Sequence, residues 1–89
     1  MSDSVTWFVY ILKCADASLY TGVTTDLERR LQEHNQNDRL GAKYTRTRRP
    51  VSLQYHETCT GRSHACQREA AIKKLSRRAK LKLIGPSQA

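Results

Sequence analysis

Apolar positions along the chain fall into short runs separated by polar breaks, and their period changes from run to run. Trp7 to Cys14 is rich in β-branched and aromatic residues and carries no helix-start signal, which predicts a buried strand. After a polar break at Ala15–Ser18, the run Leu19 to Val23 predicts its hairpin partner. Side chains alternate across a strand, so the parity of the connection decides whether Tyr10 and Tyr20 share a face. An even loop separates them; an odd loop, such as a three-residue turn with a left-handed residue and a bulge, unites them. Ala17 or Ser18 would take the left-handed position, where glycine would be easier by about 1 kcal/mol or less.

The period then becomes helical. Thr25 followed by Glu28 is a capping-box signature that places the first helical residue near Asp26. At ~100° per residue, Leu27, Arg30, Leu31 and His34 share one sector, while Arg29 points away towards solvent beside Asp26 and Glu33. Asn35 to Pro50 is polar and basic, with Gly41 and Pro50 as breakers, and predicts a loop with room for short local structure. Val51, Leu53 and Tyr55 alternate with Ser52, Gln54 and His56, which predicts a third strand with one polar face, ending near Thr58. Cys59 to Arg62 reads as a turn, and Ser63 can cap a helix that runs to about Leu75 with Ala65, Ala70, Ala71 and Ile72 favouring it. Ser76 starts a last helix through Ile84, and Gly85-Pro86 stops it. The order β-β-α-β-α-α predicts an α+β fold: a small, mainly antiparallel three-stranded sheet, made of the N-terminal hairpin plus one strand, flanked by helices.

A length of 89 residues predicts a single domain over 1–89, with an ordered core from about 6 to 84 and no room for a second. No apolar run approaches the ~20 residues that span a bilayer, and Met1-Ser2-Asp3-Ser4 lacks the basic and apolar regions of a signal peptide, so the expected location is cytoplasmic and the expected partners exclude membranes. Cys14, Cys59 and Cys66 are odd in number and irregularly spaced, which argues for reduced thiols; Cys14 suits strand packing and Cys66, beside Ala65 in a helix, suits a small buried thiol. His56, Cys59, His64 and Cys66 are four zinc-compatible side chains in a short stretch, but their spacing matches no standard knuckle. Neither a phosphate-cradling glycine-rich loop nor a Ser-His-Asp pattern is present.

Charge sharpens the picture. Lysines and arginines number 16 against 8 acids, a formal net charge of +8. Up to Asp38 acids outnumber bases, whereas from Arg39 onward Glu57 and Glu69 are the only acids. Such asymmetry reads as a polyanion-facing half, against the alternative of a merely solvated basic surface. Lys43, Tyr44, Arg46, Arg48 and Arg49 interleave one aromatic with four cations, suited to phosphate contacts plus stacking on a base, and Lys73, Lys74, Arg77 and Arg78 extend the basic surface.

The two tyrosine-bearing strands and the helix after them carry a resemblance. Phe8-Val9-Tyr10, then Tyr20-Thr21-Gly22, then Arg30 and His34 in one helix resemble the GIY-YIG nuclease superfamily, and the size and order resemble its short stand-alone bacterial members. Phe8 stands where that family usually has a glycine, Val23 stands where many members have a lysine, and an asparagine that often follows the family glutamate is missing. The resemblance implies a nucleic-acid partner, DNA before RNA, and hydrolysis of a phosphodiester with one Mg²⁺ or Mn²⁺. Tyr10 or Tyr20 would accept the proton of the attacking water, Arg30 would hold the phosphate, His34 would position water or phosphate, and Glu69 would hold the metal. Read without the resemblance, His34 is a cation near a helix C-terminus, worth about 0.5 kcal/mol, and Glu69 is a surface acid paired with Lys73. Two rival functions remain: a nucleic-acid-binding module of the same fold with weak or no catalysis, and a basic protein-interaction domain, for example on ribonucleoprotein.

Overall fold

β-Branched and aromatic residues favour a pleated, half-buried surface, and the run Trp7–Lys13 forms the central strand, β1. A computed structural model describes residues 5–85. Met1–Ser4 and Pro86, named above for the chain start and the helix stop, lie outside the described residues. Leu19–Thr24 (β2) and Ser52–Cys59 (β3) pair antiparallel on either side of β1 in the order β2-β1-β3. Helices α1 (Leu27–Gln36), α3 (Arg62–Lys73) and α4 (Arg77–Ile84) complete the expected order, and a short helix α2 (Lys43–Arg46) occupies the basic loop. None of the described helices is long and apolar enough to cross a membrane.

Strand alternation sends β1 side chains to two different cores. Val9 and Ile11 join Cys59, Ala65 and Ile72, with Leu83 and Ile84 packed against them, so α3 and α4 cover this face. Tyr10 and Leu12 join Cys14 and Val51, with Tyr20, Leu27, Leu31 and Leu53 packed against them, so α1 covers the other. β3 serves both faces through a register shift: Ile11 pairs with Tyr55 but Leu12 pairs with Leu53, leaving Gln54 as the extra residue. The expected common face of Val51, Leu53 and Tyr55 is therefore corrected, because a bulged residue inverts the alternation that follows it.

Local chemistry moves two helix starts. Asp26, not Thr25, caps α1 by accepting from the Arg29 amide at 3.0 Å, and the Thr24 hydroxyl accepts from the Asp26 amide at 3.1 Å. Glu28 then lies one position too early for a capping box. Gly61, not Ser63, occupies the cap of α3, while the His64 ring reaches back to accept from the Thr60 amide at 3.2 Å. Ser76 caps α4 as expected, accepting from the Ala79 amide at 3.1 Å, and Gly85 ends it at φ 93.

All three cysteines are free; Cys14 and Cys59 are buried, but Cys66 is exposed, correcting its expected burial. Ala65, its neighbour, turns into the core, and a helix carries the next side chain ~100° round. Among the described residues no group of three or more His, Cys, Asp or Glu is placed to hold a metal, so the four zinc-compatible side chains form no such cluster.

Candidate active site

The hairpin turn decides the site. The Cys14 amide donates to the Ser18 carbonyl at 2.8 Å and the Ala17 amide to the Cys14 carbonyl at 2.9 Å, with Ala17 left-handed at φ 70. This is the odd connection, and the register it sets, Tyr10 opposite Gly22 and Leu12 opposite Tyr20, brings both tyrosines to one face. The Asp16 carboxylate steadies the turn by accepting from the Ser18 amide at 3.0 Å and from Arg48 Nε at 3.1 Å. Gly22 is required by Tyr10: a Cβ there would stand 2.5 Å from the phenol oxygen.

The phase of α1 places the remaining groups. Arg30 turns inward and donates to Glu33 at 3.0 Å and to the Leu40 carbonyl, whereas Arg29 is 58% exposed and pairs with Glu33 at 3.6 Å. His34, on the same side as Arg30, has no exposed surface. Its Nε2 lies 2.9 Å from the Tyr10 hydroxyl and its Nδ1 lies 2.7 Å from the Thr45 hydroxyl on α2. Both ring nitrogens are thus occupied, which leaves neither for the water or phosphate contact that the resemblance implied. The Tyr20 ring meets His34 edge-on at 5.2 Å and lies 6.0 Å from Tyr44, to which it is stacked.

Electrostatics follow from this burial. Desolvation pushes the Tyr10 phenol up to about 12, with Arg30 pulling it down and Tyr20 and Glu69 adding to the rise. Burial, reinforced by Arg30 and Arg49 and opposed by Glu33, pulls His34 down to about 4, so the imidazole is neutral at pH 7. Tyr10, Tyr20 and His34 thus touch one another, with Arg30 one turn before His34 on α1, while Glu69 lies on α3, the helix that covers the other face of the sheet. Glu69 is 24% exposed and pairs with Lys73 at 3.2 Å. A lone, reachable carboxylate suits Mg²⁺ or Mn²⁺, which keep several waters and bind through one or two carboxylates and substrate phosphate.

The basic residues divide by what they touch among the described residues. Lys43, Arg46, Lys74, Arg77 and Arg78 are exposed. Arg48 lies 4.0 Å over the Tyr44 ring and bridges to Asp16, so Tyr44 is held between Arg48 and Tyr20. Arg49 donates to the His34 carbonyl at 2.7 Å and to Asp38 at 2.8 Å. Two further residues gave no sequence signal. Thr45 is a buried hydroxyl inside a polar loop, and Asn35 binds both backbone groups of Val51, at 3.0 and 2.7 Å, joining the end of α1 to the start of β3.

Comparison with known proteins gives a single answer. The GIY-YIG catalytic domain model matches residues 6–82. The chain is 54% identical over 87 residues to a UPF0213 protein of Desulfotalea psychrophila, covering 98% of this chain and 78% of that one. It is 54% identical over 77 residues to a UPF0213 protein of Staphylococcus haemolyticus, covering 86% of this chain and 92% of the other. The solution structure of a UPF0213 protein from Bacillus halodurans superposes with a TM-score of 0.58 at 41% identity, covering 93% of this chain and 90% of that one. A protein from E. faecalis gives 0.60 at 44% identity, covering 92% and 85%. GIY-YIG nucleases act on nucleic acid and are generally dependent on a divalent metal. With its paired tyrosines, inward arginine and part-exposed glutamate, the chain belongs to the GIY-YIG family, alongside the short bacterial UPF0213 proteins.

Proposed function

We propose that the protein is a metal-dependent endonuclease that hydrolyses phosphodiesters of nucleic acid, DNA before RNA. The observation that carries this reading is the contact of Tyr10, Tyr20 and His34 on one face of the sheet, with Arg30 turned inward on the same helix as His34. Tyr20 is the tyrosine that takes the proton of the attacking water, since it is half-buried, whereas Tyr10 is 2% exposed and its raised pKa keeps its own proton on. Arg30 grips the phosphate and offsets charge growing in the transition state; its planar, permanently charged head suits two oxygens at once. Glu69 would hold Mg²⁺ or Mn²⁺, which when bound supplies positive charge to the leaving oxygen. Tyr10 and His34 hold this arrangement from within. Lys43, Arg46, Lys74, Arg77 and Arg78 supply phosphate contacts, while Tyr44, Arg48 and Arg49 act chiefly by holding the α2 segment over Tyr20.

The Lys73–Glu69 ion pair favours a second reading, a nucleic-acid-binding module without turnover, because a cation already occupies the carboxylate. One experiment separates the two: purified protein is incubated with labelled single-stranded, duplex, flap and branched DNA and with RNA, with and without Mg²⁺ or Mn²⁺. Cleavage that Glu69→Ala and Arg30→Ala abolish, and that Arg29→Ala leaves within about twofold, supports the nuclease. Salt-sensitive binding with no cleavage under either metal supports the module.

A further inference from the structure

We infer that Thr45 is a positioning residue of this site: its hydroxyl fixes the tautomer of His34 and thereby the direction in which the Tyr10 hydroxyl points. The four groups form one file, with Tyr10 Oη 2.9 Å from His34 Nε2, His34 Nδ1 2.7 Å from Thr45 Oγ1, and Thr45 Oγ1 3.0 Å from the Ala42 carbonyl. The three side chains of the file are too buried for water to replace a partner: Tyr10 is 2% exposed, and His34 and Thr45 are 0% exposed.

Proton counting from the Ala42 end gives the polarity. A carbonyl only accepts, so the Thr45 proton points to Ala42 and Thr45 Oγ1 is left to accept from His34 Nδ1. The Tyr10 proton then has the bare Nε2 of His34 as its acceptor, which requires the His34 proton to sit on Nδ1. Nδ1–H donates to Thr45 Oγ1, and the single Thr45 proton goes to the Ala42 carbonyl. Reversing the file takes the Thr45 proton from the Ala42 carbonyl and the Tyr10 proton from its acceptor.

Removal of the Thr45 hydroxyl deletes the acceptor for Nδ1–H. His34 then moves its proton to Nε2, and the buried Tyr10 hydroxyl loses the acceptor that sets its direction. The catalytic consequence rests on the nuclease reading above, whereas the tautomer is read without substrate or metal.

The test is a long-range ¹H–¹⁵N correlation on protein labelled at histidine, near pH 7. Wild type and Thr45→Ser are expected to show His34 protonated at Nδ1, and Thr45→Val to show the Nε2–H form. A wild-type Nε2–H form, or a folded Thr45→Val that keeps Nδ1–H, overturns the proposal. Thr45→Ala is a second hydroxyl-free variant read in the same way, and if neither folds the wild-type tautomer decides alone. If the protein cleaves nucleic acid, Thr45→Val should lower turnover about tenfold or more with KM little changed, and Thr45→Ser should restore it. A protein that cleaves nothing refutes the nuclease reading and leaves the tautomer result standing.

Discussion

The two faces of one three-stranded sheet are built on opposite principles. Towards α3 and α4 the interior is aliphatic, with Val9, Ile11, Ala65 and Ile72 in contact, and charge sits at the margin, where Arg68 grips Glu57 through two bonds of 2.8 and 2.7 Å. Towards α1 the interior holds Tyr10, Tyr20, His34 and Thr45, joined by directed hydrogen bonds and ring edges. Non-directional packing is weakened by removing volume, whereas a directed network is weakened by adding a proton or an atom. Neighbouring residues of β1 feed the two sides in turn, so one strand anchors both the stable half and the chemical half.

The largest expected effect is on the aliphatic side. Ile72 is 1% exposed, and Ile72→Ala should cost about 3 to 4 kcal/mol in urea denaturation by leaving a cavity under the sheet. A loss below about 1 kcal/mol would show that this side repacks freely, and the contrast would weaken.

Acid tests the polar side. His34 falls from its ordinary 6.5 to about 4 in the fold, so between those values the unfolded chain binds more protons than the folded one. Stability from this group is complete above pH 6.5, is lost as pH falls towards 4, and changes no further below it; the full swing is at most about 3 kcal/mol. Denaturation midpoints across that range should show the fall, and His34→Gln should flatten it.

Adding an atom is the next challenge. Gly22→Ala would force the Tyr10 ring aside and should cost about 2 kcal/mol, with Gly61→Ala as its control, since nothing lies within 4 Å of a Cβ at Gly61 and its backbone is extended. The control, a helix cap where alanine is poorer than glycine, should cost no more than about 1 kcal/mol; equal losses in thermal melts would remove the special claim of Tyr10 on Gly22. The smallest effect is expected at Thr21, in β2 opposite Ile11, whose buried hydroxyl has no hydrogen-bond partner among the described residues. Thr21→Val should be neutral or stabilise by about 1 kcal/mol, and a marked loss would reveal a partner for that hydroxyl.

Much of this was legible in the sequence because it follows from short-range geometry. The hairpin, a left-handed position at Ala17 or Ser18, and the opposite directions of Arg29 and Arg30 are set by neighbours a few residues apart, whereas the parity of the turn shows only in the strand pairing. What escaped depends on distant partners. The inversion of β3 at Gln54 is fixed by pairing with β1, and the unbroken alternation around it gives no warning. Thr45 acquires meaning only when α2 lies against His34, and the contacts of Arg48 with Asp16 and of Tyr44 with Tyr20 join segments too far apart in sequence to be foreseen. Asp26 took the cap from Thr25 through one side-chain bond, a difference that composition cannot resolve.

The Asn35 amide, bonded to both backbone groups of Val51, ties off the segment that carries α2 at its base. Closing a flexible loop costs entropy that grows only slowly with length, by about 0.6 kcal/mol per doubling, and most of it is incurred when the ends first meet. With the ends joined by Asn35, the search left to α2 is a short-range one, and Gly41, packed against α1 where a Cβ would meet the Glu33 carbonyl at 2.7 Å, narrows it further. Thr45 thus reaches His34 as part of a small closed ring of chain, and alteration at Asn35 would be felt as a slower, looser arrival of that hydroxyl far from the altered amide.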